Sequence, residues 1–156
     1  EEVTVAGDYV TLDGVKLTFP PADERLLIGG EGPKTLALAA TYGDGSMLTS
    51  AISEDRIRQS IDIVLANTGG RPHEIVGHLM VFRGEDAAAR AAEHLRMWPD
   101  GATAVIADDA ATVVAAVERV AAMGMTTVLV HSTDDEPDPV GFVEWVGSEV
   151  AAKVAR

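Results

Sequence analysis

Cysteine is absent from the 156 residues. That removes a thiolate nucleophile and predicts a cytoplasmic setting rather than a disulfide-stapled one. Basic residues are scarce: 12 Lys+Arg stand against 25 Asp+Glu, for a formal charge of −13. They are scattered, so no basic stripe exists for a phosphate backbone or an anionic membrane, and neither nucleic acid nor membrane is an expected partner. No apolar run approaches the length of a membrane span, and no signal-like segment opens the chain. The first residue is Glu1 rather than methionine, which predicts a piece of something longer. Hydrophobic residues at 47% and charged residues at 24% belong to one globular domain with one core.

Residues 1–20, "EEVTVAGDYVTLDGVKLTFP", alternate polar and apolar around two glycine turns. Val3, Val5, Tyr9, Val10, Leu12, Val15, Leu17 and Phe19 take strand-like positions, predicting a small antiparallel hairpin or lid over residues 1–22. The period then changes, and residues 23–156 alternate strand-sized with helix-sized runs. Leu26–Gly29 precedes Pro33–Tyr42, and Ser46–Thr49 precedes Glu54–Asn67. Ile75–Phe82 precedes Asp86–Met97, and a further helix, Ala110–Ala122, leads into Thr126–His131 and then Pro139–Val154.

End signals support these helices. Ser53 caps a helix carrying Ile57, Ile61, Val64 and Leu65 on one face, stopped by Gly69-Gly70. Asp109 caps the next, with Val113, Val117, Val120 and Ala121 inward and Gly124 at its end. Asp138 followed by Pro139 starts the last. Nearly continuous apolar strands such as "TTVLV" argue for a parallel α/β sheet of about four strands with outer helices. Such a set is half of an eight-stranded barrel or a small open sheet; a half-barrel needs another segment or a second copy to cover its open edges.

The segment "LLIGGEGPKT", residues 26–35, runs from a strand through three glycines into a helix. Bare amides at Gly29, Gly30 and Gly32, with Pro33 starting a helix, suit an anion such as phosphate; they equally suit a tight strand-to-helix turn. Neither the dinucleotide fingerprint nor the P-loop spacing is matched. In "HEIVGH" the histidines His73 and His78 stand five apart, about 140° around a helix, so no zinc-protease geometry follows and no metal site is expected. His131 closes an apolar strand at the end where parallel α/β proteins place their sites, and Thr49 and Ser50 end another strand in the same way; these three are the expected substrate-pocket residues. The acidic run "DDEPDP" reads as a solvated loop with a helix cap, and Tyr42, Trp98 and Trp145 read as packing residues. No Ser-His-Asp arrangement is present, and no residue of the chain is assigned a catalytic role.

The stretches "GDYVTLDGVKLTFPP", "LLIGGEGPKTLALAATYGDG" and "DDAATVVAAVERVAAMGMTTVLVH" together resemble the C-terminal half of the bacterial luciferase-like superfamily. Within it the likeness is to F420-dependent oxidoreductases of the glucose-6-phosphate dehydrogenase branch. The resemblance implies a TIM barrel of which this chain supplies about the last four βα units. It implies coenzyme F420, or alternatively FMN in a monooxygenase, on Ile28, Gly29, Gly30, Gly32 and Pro33. It also implies hydride transfer with a small organic substrate, and acid–base residues in an N-terminal half outside this chain, so that the chain alone is inactive. A non-catalytic, self-associating half-barrel, a homodimer, is the alternative from another class. Sugar-phosphate users of the family carry a lysine where this chain has Ile52, an arginine where it has Thr103, and a longer basic segment around Met97–Asp100. Those departures imply a less anionic substrate, such as an alcohol, aldehyde, ketone or enone.

Overall fold

A computed structural model describes residues 2–20, 22, 24–50, 52–99, 101 and 103–154. Two strands, β1 (Val3–Ala6) and β2 (Thr11–Val15), form an antiparallel hairpin. Gly14, at φ 59°, supplies a conformation that side-chain-bearing residues avoid. Tyr9 and Val10 fall in its turn, and Leu17 and Phe19 lie beyond it. Apart from Leu12 its strand residues are exposed, so the hairpin gains nothing from a core of its own.

The rest is a parallel sheet with helices, as the apolar runs require. β3 (Leu27–Gly30) leads into α1 (Pro33–Tyr42), β4 (Gly45–Leu48) into α2 (Glu54–Asn67), and β5 (Glu74–Phe82) into α3 (Ala87–Met97). A fifth strand of this sheet, β6 (Ala104–Ile106), precedes α4 (Ala110–Ala121); β7 (Thr127–His131) precedes α5 (Pro139–Trp145), which continues as one π-helical turn over Val146–Val150. The helix expected through Val154 therefore ends four residues early. β6 is short and flanked by a proline- and glycine-containing loop, so it carried no periodic signal.

Strand pairing runs β3–β4–β5, with both β6 and β7 on β5. The amides of Glu74 and Met80 donate to Asp44 and Thr103 carbonyls, whereas the Ile75 carbonyl accepts from Thr126. Even-numbered residues of β5 thus bond towards β4 and β6, and odd-numbered ones towards β7. β4 and β6 occupy one edge in succession, and β4 leaves β5 at its C-terminal end.

Alternation also sorts the side chains. Ile75, Leu79 and Val81 point into the helix layer, where they join Leu36, Ile57, Ile61, Val64, Val113, Val117, Val120, Phe142 and Trp145; each such burial contributes about 1.5–3 kcal/mol. His78 and Met80 lie on the opposite face, which α3 covers only at its upper end through Phe82, Ala87 and Ala91. Leu65 and Ala121, expected inward, are exposed, and Ser60 and Ala116 are buried in their helices instead. Both misplaced residues sit at the margin of their apolar stripes.

The caps behave as expected. Ser53, Asp109 and Asp138 accept from the amides of Arg56, Thr112 and Gly141. Arg71 fastens the end of α1 by donating to the Ala40 and Thr41 carbonyls at 2.8 and 2.7 Å.

Candidate active site

Because the strands are parallel, their C-terminal ends share one rim. Gly29-Gly30 at the end of β3, Thr49-Ser50 just beyond β4, and His131 at the end of β7 all stand there. Thr49 lies outside its strand, which stops at Leu48. At about 4.8 Å per strand, the glycine loop and His131 are roughly 14 Å apart along the sheet, enough for a ring-sized cofactor and a substrate side by side.

The three glycines of the loop have different reasons to be glycine. A Cβ on Gly30 would meet the Thr35 methyl at 2.4 Å, so packing demands its absence. Gly29 would meet nothing nearer than 4.0 Å and Gly32 nothing at all, and neither has a positive φ. The fold does not require glycine at those two positions. Gly32 is the N-cap of α1 and offers no side chain to the first-turn amides, no acidic residue stands in that turn, and Pro33 begins it. α2, α4 and α5, by contrast, have capping side chains. The positive end of α1 is left open towards the rim.

At the other side of the rim, His131 and His78 meet edge to face, ring centroids 5.4 Å apart. His131 Nδ1 lies 3.0 Å from the Ser132 carbonyl, which can only accept. Nδ1 therefore carries a proton, and Nε2 is buried without a partner among the described residues. Burial, and secondarily the neighbouring His131, pushes the His78 pKa down. His73 enters β5 as expected, its Nε2 2.9 Å from the hydroxyl of the fully buried Ser46. Burial first, then the Arg71 charge, lowers its pKa against the pull of Asp44.

Both histidines thus resist protonation when folded, whereas the unfolded chain takes up protons at the ordinary value of about 6.5. Between that value and the depressed folded pKa the unfolded state binds more protons, so stability falls with falling pH. Urea unfolding should give a constant free energy above about pH 7 and a decline on going to pH 5.5, with a shallower decline in His78→Asn. An equal slope in that variant would remove His78 from the account.

The acidic run is more than a solvated loop. Arg90 of α3, only 8% exposed, reaches Glu136, 7% exposed, at 3.2 Å, and also Asp86 at 3.2 Å and Asp135 at 3.6 Å. It further donates to Thr133 and to the Arg83 carbonyl. Burial alone would lower the Arg90 pKa; the Asp86 and Glu136 interactions outweigh it and raise it. This network ties α3 to the loop that follows His131. Asp86 and Arg90 stand four apart, a legible helical pair, but nothing in the sequence announced Glu136 as their partner. Trp145 packs as expected, stacked under Arg83 at 3.8 Å. Trp98 and Tyr42 do not, being 53% and 73% exposed. Ile52 packs against the core, Thr103 is buried, and Asp100 lies outside the described residues.

A parallel strand–helix rim with an open glycine turn defines an α/β scaffold of the kind that in other proteins carries sites at the strand ends. The family model for luciferase-like monooxygenases matches residues 1–136, and the chain belongs to that family. A 5,10-methylenetetrahydromethanopterin reductase of Archaeoglobus fulgidus is 37% identical over 65 residues, 40% of this chain and 20% of that protein. Among solved structures, an F420-dependent secondary alcohol dehydrogenase in complex with an F420-acetone adduct superposes with a TM-score of 0.67 at 21% identity, over 99% of this chain and 55% of that one. The coenzyme F420 dependent tetrahydromethanopterin reductase from Methanopyrus kandleri gives 0.68 at 17% identity, over 98% and 58%. The chain thus has the fold of part of a luciferase-like barrel and spans little more than half the length of these structural neighbours. The fold class expected from the sequence is the one observed, with β6 as an additional strand.

Proposed function

We propose that this chain is the cofactor-cradling part of an F420-dependent oxidoreductase acting on a small organic substrate. Residues 1–22 serve as an insertion hairpin, and residues 23–156 supply the C-terminal half of the barrel in a cytoplasmic enzyme. The other half comes from a further segment of chain or from a second copy in a homodimer. In this reading Ile28, Gly29, Gly30, Gly32 and Pro33 hold the cofactor, with Thr49, Ser50 and His131 facing the substrate. Bound there, the deazaflavin supplies the hydride acceptor or donor.

One observation carries the reading: Gly29 and Gly32 are bare where the fold itself has no use for bareness. Room for a Cβ at both positions, beside a helix start with no capping side chain and no acid in its first turn, fits the close approach of an anionic cofactor. The chain's part is to bind and orient. Backbone amides at the start of α1 meet negative charge, Ile28 is half-buried behind them, and Thr49-Ser50 offer hydroxyls to the same mouth.

Titration with F420, followed by its fluorescence, tests this. Gly32→Val should lower the melting temperature by only a few degrees, the cost of a poorer N-cap, because no atom lies within 4 Å of the added Cβ. F420 affinity should fall about tenfold or more, since the branched side chain occupies the approach. Parallel titration with FMN decides between the two cofactors, and F420 binding that ignores the valine would dismiss the glycine cradle.

A further inference from the structure

The outer face of α1 carries an apolar stripe that stays open to solvent. Lys34, Leu38 and Tyr42 stand four apart and form one row along the helix, on the side away from the buried Leu36, Ala39 and Ala40. Leu38 is 57% exposed and Tyr42 73%. Beside them runs a row of smaller side chains, Ala37 and Thr41, and the two rows border an open hollow of about 410 Å³. We infer that this face binds a second copy of the chain, the two α1 helices running in opposite directions about a two-fold axis at Leu38.

Three observations select a second copy as the occupant. The first is charge. The chain carries a formal charge of −13, so two copies repel each other wherever acidic surfaces meet. Of the five α-helices described, α1 alone contains no Asp or Glu, and its single charged residue is Lys34. On its neighbour α2 the exposed residues include Asp55, Gln59 and Asp62. The surface of α1 is therefore where copies of an acidic chain can approach.

The second is self-complementarity. A two-fold axis makes residue i of one copy meet residue j of the other, and j meet i. Centred on Leu38, opposed helices bring Lys34 of each copy to the aromatic face of Tyr42 in the other, and Leu38 to Leu38. Lys34 makes no ion pair among the described residues, so its charge is available. Helices running the same way would instead set Lys34 against Lys34. The third is shape. A row of side chains four apart is a ridge, and the hollow beside it is a groove of the same inclination, which is the commonest way in which two helices interlock. A helix of 10 residues offers less area than a standard interface, so the dimer is weak, with a Kd between about 1 µM and 1 mM.

Sedimentation equilibrium up to about 1 mM protein should show the mass doubling within that range. Leu38→Glu should stay monomeric and melt within a few degrees of the unaltered chain. Tyr42→Phe, which keeps the ring, should still dimerise, and Lys34→Gln should weaken the dimer about fivefold. Because the chain has no cysteine, Leu38→Cys introduces a lone thiol at the axis. Under mild oxidation it should close a disulfide-linked dimer far faster than Gln59→Cys on the exposed side of α2. A chain that is still monomeric at about 1 mM overturns the inference. So does a dimer that ignores Leu38→Glu, which would be made elsewhere, as at the open edges of β3 and β7, and so does equal cross-linking of the two cysteine variants. A Lys34→Gln dimer as tight as the original overturns the opposed arrangement. F420 titrated into Leu38→Glu reports on the glycine turn alone, so failure of the cofactor reading and failure of the dimer are told apart.

Discussion

Replacing Arg90 by leucine should lower the free energy of unfolding by about 3–5 kcal/mol. The reason is what remains behind. Glu136, 7% exposed, would keep its charge inside the structure with its cationic partner gone, and an uncompensated buried charge costs far more than the pair ever contributed. The Arg90 links to Asp86 and Asp135 matter less, because those carboxylates are 62% and 61% exposed and water replaces the guanidinium. Glu136→Gln should therefore be mild, about 1–2 kcal/mol, since a neutral amide can still accept from Arg90. Replacing both members, Arg90→Leu with Glu136→Leu, should recover much of the loss, because two apolar side chains need no counter-charge. Urea denaturation of the four proteins provides the test. A loss below about 1 kcal/mol in Arg90→Leu would mean that water reaches Glu136. Where the loss is confirmed, the loop after His131 should also exchange its amide hydrogens faster, because Arg90 is its tie to α3.

The second large effect is steric. Gly45→Val should cost about 3 kcal/mol or more, at the upper end for an overpacked site. Leu27, Gly45 and Glu74 are aligned across three adjacent strands, and side chains in one register share a face. A Cβ on Gly45 would stand 2.5 Å from a Leu27 methyl, 2.9 Å from the Glu74 Cβ and 2.9 Å from the Glu74 carbonyl oxygen. The leucine can turn away, but two of the three obstacles belong to a strand held in register on both edges. β3 or β5 must move, and both lead to the rim. Alanine should show most of the loss, since the clash begins at Cβ. Thermal unfolding of Gly45→Val beside Gly32→Val gives a built-in comparison, the same substitution at a crowded and an open glycine. Equal melting temperatures would show that the sheet absorbs the extra carbon without strain.

That comparison also marks where a sequence stops being informative. Gly29, Gly30, Gly32 and Gly45 are the same letter, yet packing requires Gly30 and Gly45 while nothing in the fold requires Gly29 or Gly32. The strand–helix order was legible because burial on one helix face or on both sheet faces imposes a period on the chain, and α1 and α2 fall on their expected residues. Caps were legible because Ser53, Asp109 and Asp138 act on amides only three residues away. β6 was not, since three residues between loop segments display no period.

The position of His131 at a strand end follows from its place after an apolar run. Its meeting with His78 does not, because it depends on the register that sets His78 beside Leu129 and Met80 beside His131. Likewise Trp98 and the acidic loop were read as packing and solvent, whereas the fold sets them around one cavity with Arg90 and Glu136 bound beneath.

By itself, then, the sequence determined the class of fold, the order of its elements apart from β6, their caps and the strand ends that share one rim. All of these are consequences of hydrophobic period and of hydrogen bonds that span a few residues. Tertiary structure alone decided which glycines packing requires, which histidine nitrogens are buried without a partner among the described residues, and which carboxylate is buried against Arg90. The Arg90–Glu136 contact joins residues 46 positions apart and the crowding of Gly45 comes from two neighbouring strands, and local pattern carries no record of such contacts.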